Sequence, residues 1–145
     1  MGPPYNRAMT NIDAGDNDEA RSYQLHFEQR PDYLYAHVSG PQDSPEITLA
    51  YWREIAAECQ TRRATRVMVM DDLGGAPMPP EQIAELVRKM QGSGMETVQI
   101  AFVEPIMAHV AMMEHGQIFA MESGFRAHVF SSVNAAERWL RFGGG

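Results

Sequence analysis

The stretch from Arg66 to Leu86, RVMVMDDLGGAPMPPEQIAEL, constrains the fold more than any other part of the chain. Val67-Met68-Val69-Met70 is an unbroken apolar run, the pattern of a strand covered on both faces. Asp71-Asp72 ends the run, Gly74-Gly75 and the following prolines turn the chain, and Pro80 opens a helix. At a helix start the missing proline N–H costs nothing and the fixed φ helps. A buried strand, an acidic loop and a helix in that order form the centre of an α/β domain, where ligands meet the carboxyl ends of the strands. Asp72, Gly74 and Gly75 are therefore candidate binding residues. If Val67 and Val69 lay at a sheet border, wetted on one flank, both the architecture and this binding region would fall.

The flanking sequence extends the pattern. Residues 1–22 are rich in Pro, Asn and Asp without apolar periodicity and read as a flexible acidic leader. Tyr23–Glu28 alternates and reads as a strand, Arg30-Pro31-Asp32 as a turn, and Tyr33–Ser39 as the returning strand. The hairpin register sets His26 opposite His37. Ser44 or Asp43 caps a helix with Pro45 in its first turn and a stripe of Ile47, Tyr51, Ile55 and Cys59. A second helix follows over 81–91, with Ile83, Leu86, Val87 and Met90 inward and Gly92-Ser93-Gly94 as its stop. Val98–Val103 is a further strand, and Ile106 to about Glu122 a third crossover helix, loosened near Gly116. Arg126–Phe130 is the last strand, Ser132 caps a closing helix bearing Ala136, Trp139 and Leu140, and Gly143–Gly145 is a tail. The expectation is a single α/β domain over 23–142 in β-β-α-β-α-β-α-β-α order, with a mostly parallel five-stranded sheet and helices on its faces.

Charge and cysteine usage narrow the function. The 145 residues carry a net charge of −7, and Lys89 is the only lysine. That balance excludes a basic face for nucleic acid and argues against docking on anionic membranes. Cys59 is the single cysteine, so no internal disulfide forms; within a helical stripe it reads as a buried structural thiol in a reducing compartment. No apolar run reaches transmembrane length and the polar N-terminus is not a signal peptide, so the expected location is cytoplasmic.

The element order, the segment YLYAHVSGPQDSPE leading from strand to capped helix, the VMVMDDL strand and the closing NAAERWL helix together resemble the SpoIIAA-like group, which is related to the STAS domains of anti-sigma factor antagonists. The resemblance covers about Tyr23 to Phe142. It implies a β-α fold shared with lipid-carrying CRAL-TRIO domains and a regulatory or ligand-binding role without turnover. The antagonists switch by phosphorylation of a serine at the start of the helix after the central strand. Here no Ser, Thr or Tyr lies between Arg66 and Gly92, so that switch has no acceptor.

Two site chemistries compete. Asp43, Asp71, Asp72 and Glu104 fall at strand ends, where converging carboxylates hold a cation or raise one another's pKa. A metal-assisted enzyme using Asp71, Asp72 and Glu104 is thus the alternative function. The histidines lack metal-ligand spacing, and no P-loop, dinucleotide fingerprint or nucleophile elbow occurs, so no cofactor is expected. The leading expectation is a non-catalytic module binding a protein partner or a small apolar ligand through the third crossover helix. On a helical wheel Ile106, Met107, Val110, Ile118 and Met121 form its core side. Met112 and Phe119 share the other side with His109, an apolar back that marks an interface or ligand wall. Met107, His109, Met112 and Phe119 complete the candidate site, and a homodimer through Met112 and Phe119 is a third expectation. With no Lys or Arg between Met90 and Phe125, this surface favours a neutral lipophile or a protein.

Overall fold

The computed structural model describes residues 23–143, and its five strands lie in one sheet in chain order, β1-β2-β3-β4-β5. Strand β1 (Gln24–Gln29) runs antiparallel to β2 (Leu34–Gly40), and His26 pairs with His37 as the hairpin pattern requires. Strands β3 (Arg66–Leu73), β4 (Gln99–Val103) and β5 (Arg126–Phe130) then add in parallel. The connections are helices α1 (Pro45–Arg62), α2 (Pro80–Met90) and α3 (Met107–Glu122), and α4 (Val133–Arg138) closes the chain.

Strand β3 is the centre of the sheet, between β2 and β4, and Val67, Met68 and Val69 are fully buried. The unbroken apolar run has this cause: Val67 and Val69 join one core cluster, Met68 the other. Right-handed crossovers that always advance in one direction set their helices on one face of the sheet. The major core accordingly holds Ile47, Tyr51 and Ile55 of α1 and Ile83 and Val87 of α2 against Ala36, Val38, Val67, Val69 and Ile100. The opposite face carries Tyr33, Met68, Ala101 and Val103, covered by Ala136 and Leu140. The chain never reverses its direction across the sheet, so the parallel strands present no topological switch point.

Local signals act as the physics demands. The Ser44 hydroxyl accepts from the Ile47 N–H (3.1 Å) and caps α1, and that of Ser132 accepts from the Ala135 N–H (3.2 Å) at α4. The strand pattern continues through Asp71 and Asp72 to Leu73, beyond the apolar run, because both residues pair with β2. Gly74 then packs against the preceding connection: its N–H donates to the Gly40 carbonyl (3.0 Å) and its own carbonyl accepts from the Asp43 N–H (3.1 Å). A Cβ on Gly74 would lie 2.4 Å from the Pro41 carbonyl oxygen, so only glycine fits. Gly143 belongs to the closing Trp139–Gly143 turn and is not part of a tail. The leader expected over residues 1–22, and Gly144 and Gly145, lie outside the described residues.

Candidate functional site

A cavity of about 140 Å³, partly open to solvent, lies between the sheet and the three crossover helices. Its floor is Ile100 and Phe102 of β4 with Ala127 and Val129 of β5. Helix α1 contributes Thr48, Tyr51 and Trp52, α2 contributes Ile83, Leu86, Val87 and Met90, and α3 contributes Met113, Gly116, Gln117 and Ala120. Small residues, Ala127 in the floor and Gly116 and Ala120 in the wall, are among its lining. Met78, Met90, Met95 and Met113 are among the lining residues, adaptable side chains for a guest of variable shape. An engineered apolar cavity of about 150 Å³ accepts benzene, which sets the scale for the body of a ligand here.

The polar end lies at the carboxyl ends of the strands, where Asp43 and Asp71 line the wall. The Asp43 carboxylate accepts from the Thr48 hydroxyl (2.6 Å) and the Ser44 N–H (2.8 Å). Asp71 accepts from the Leu73 N–H (3.0 Å) and is hydrogen-bonded to the Glu104 side chain. Burial pushes the Asp71 carboxyl up to about 7, and the charges of Glu104 and Asp43 act in the same direction against the Leu73 hydrogen bond. Asp43 is also raised, by burial opposed by its Thr48 and Ser44 hydrogen bonds. Glu104 is buried and accepts from the Ile106 N–H (3.1 Å), with His109 Nδ1 3.9 Å away. Asp71 therefore keeps its proton well above the ordinary carboxylate range and is only half ionised at about pH 7.

Several expected site residues stand elsewhere. Period-two alternation turns Asp72 to the opposite face, where its carboxylate meets His37 Nε2 at 3.2 Å. Asp71, Asp72 and Glu104 thus do not converge as one set, and among the described residues no group of three or more His, Cys, Asp or Glu side chains is arranged to hold a metal ion. Gly74 ties the segment carrying Asp43 to the end of β3 through its hydrogen bonds, Gly75 lies against Gln42 and Asp43, and neither lines the cavity.

The wheel of α3 is reversed. Met112, Met113, Phe119 and Ala120 pack against the major core, whereas Ile106, Met107, Ile118 and Met121 are 47%, 70%, 56% and 47% exposed. The helix is continuous through Gly116, with no loosening there. Gly116 is the point of closest approach: a Cβ on it would lie 2.7 Å from Ile83 Cγ2 of α2. Both sides of this helix are apolar, so hydrophobicity could not choose between them; the Gly116 and Ala120 pair, small residues four apart, was the signal that does. Met112 and Phe119 thereby pack, partly buried, against the core, His109 sits half-buried beside Glu104, and Met107 faces outward.

The aromatic wall was not foreseen from sequence, because Trp52 and Phe102 lie fifty residues apart and meet only in the fold, their rings 6.1 Å apart and near-parallel. Cys59, in contrast, is the buried thiol its position implies, pushed up to about 12 chiefly by burial. Among the described residues no helix is long and apolar enough to cross a membrane. Compared with models of known protein families and with functionally curated proteins, the chain gives no significant match.

Proposed function

We propose that this chain is a non-catalytic, SpoIIAA-like ligand-binding module that takes a small apolar molecule into the cavity beneath its crossover helices. The cavity itself carries the reading: a well-packed core of this size leaves few voids larger than a water molecule, yet here about 140 Å³ is lined almost wholly by apolar groups. The third crossover helix supplies one wall and the ends of β3 and β4 the rim. The missing phosphoacceptor after β3 favours ligand control over a phosphoryl switch.

Thermal unfolding in the presence of toluene tests this. A ligand at a hundred times its Kd adds about 2.7 kcal/mol to stability, so the midpoint rises by several degrees. In Ala120→Leu, which fills the cavity from α3, the rise disappears while the circular dichroism stays native. No rise in the unmodified protein, or an equal rise in Ala120→Leu, contradicts the reading.

A second reading is supported by a separate observation. Four large apolar side chains, Ile106, Met107, Ile118 and Met121, lie exposed on or beside the outer face of α3, a surface for a second copy of this chain. Sedimentation of a dimer that Ile118→Glu converts to monomer supports it; a monomer at all concentrations removes it.

A further inference from the structure

Every formal charge in the cavity wall is negative. Asp43 and Asp71 line it, and no lysine or arginine does. The two carboxyls do not stand in an acidic surface patch; they terminate an apolar chamber whose adjoining walls are aromatic. Phe102 pairs with Val69 in the sheet, so it sits one side-chain step from Asp71 on the same face. Trp52 stacks on Phe102 from α1, and Tyr51, buried beside Trp52, has its hydroxyl in the field of both Asp71 and Asp43. Carboxylates and aromatic faces lining one chamber is the combination that recognises an organic cation: charge-assisted hydrogen bonds take the N–H groups, and ring quadrupoles take the rest of the charge. An anionic ligand, a fatty acid included, would meet the same carboxylates as repulsion.

We propose that the cavity selects a small organic amine, its ammonium group held by Asp71 and Asp43 and its apolar body against Trp52 and Phe102. This rests on the cavity being a ligand site and adds the class of ligand. The titratable groups around the cavity besides Asp71 are Asp43 from the loop before α1, Tyr51 from α1, Glu104 after β4, His109 at the start of α3, and His128 of β5, whose ring packs on Trp139. The proton on Asp71 is the one an ammonium replaces. The amine enters as its cation, the carboxyl proton leaves to solvent, and the net charge of the site is unchanged. Amine binding therefore strengthens as pH rises toward about 7, where Asp71 loses its proton unaided.

Isothermal titration of the intact chain with benzylamine, toluene and benzoate tests the proposal. Benzylamine binds about tenfold or more tighter than toluene at pH 8, the strength of one charge-assisted hydrogen bond, and benzoate does not bind. Benzylamine affinity falls more than about tenfold between pH 8 and pH 5.5, with proton release on the acid side, while toluene affinity stays flat. In Asp71→Asn the preference for benzylamine over toluene is lost. Toluene binding with equal or weaker benzylamine binding, or a pH-independent preference, overturns the amine assignment and leaves the cavity reading standing. Failure of both probes overturns both. The pH profile needs no substitution, so it decides the matter even if Asp71→Asn folds poorly.

Discussion

Asp71 illustrates how one side chain connects the fold to its chemistry. Alternation along β3 sends Val67, Val69 and Asp71 to the helix-covered face, so a carboxyl follows two fully buried valines into the same apolar layer. Its folded value of about 7 lies above the ordinary 3.8, so the native state holds this proton more tightly than the unfolded chain does. The stability it contributes is present below about pH 4 and is lost as pH climbs to about 7. The stability difference between the natural chain and Asp71→Asn should therefore shrink, then reverse against the natural chain, by a few kcal/mol over that interval in urea titrations. A difference that is constant with pH would show that Asp71 ionises normally. Gly74 gives a purely steric prediction. Gly74→Ala drives a methyl into the Pro41 carbonyl, a backbone group with little freedom to move. The cost should be about 1–3 kcal/mol by chemical denaturation, and an unchanged midpoint would contradict the contact.

At the scale of elements, α3 separates what patterning can reveal from what it cannot. Strands and caps were legible because each is decided locally: Ser44 and Ser132 cap, Tyr23–Glu28 alternates, and the Val67–Met70 run is buried on both sides. The orientation of α3 depends on which of two apolar sides meets α2, and that choice is made by a close approach at Gly116 rather than by hydropathy. The cavity was illegible for a related reason: it is an absence of atoms among residues from all three crossover helices and three strands. The acids at its rim were legible as strand-end residues, but their division between two faces follows from strand continuation through Asp72, where a loop was expected. The observed orientation makes a sharp pair of predictions. Met112→Glu places a charge against the core and should cost more than about 2 kcal/mol. Ile118→Glu, on the exposed side, should change the stability of the folded monomer by no more than about 0.5 kcal/mol. Equal effects of the two substitutions would mean that the helix is rotated from the orientation described here.

For the molecule as a whole, the unswitched strand order explains where a ligand goes. A doubly wound sheet opens its crevice where helices part to opposite faces; here the crossover helices share one face, and space remains beneath them instead. The other face is closed by Ala136 and Leu140 over Met68 and Ala101. The methionines report on this arrangement. Met78, Met90, Met95 and Met113 line the cavity, whereas Met107 and Met121 are exposed on α3. The most direct measurement is a titration of ¹³C-methyl-methionine protein with toluene followed by NMR. Occupancy of the cavity shifts the four lining methyls together, with one common binding curve, and leaves Met107 and Met121 in place. Shifts confined to Met107 and Met121, with the four lining methyls unmoved, would put the ligand on the surface and contradict a binding site beneath the helices.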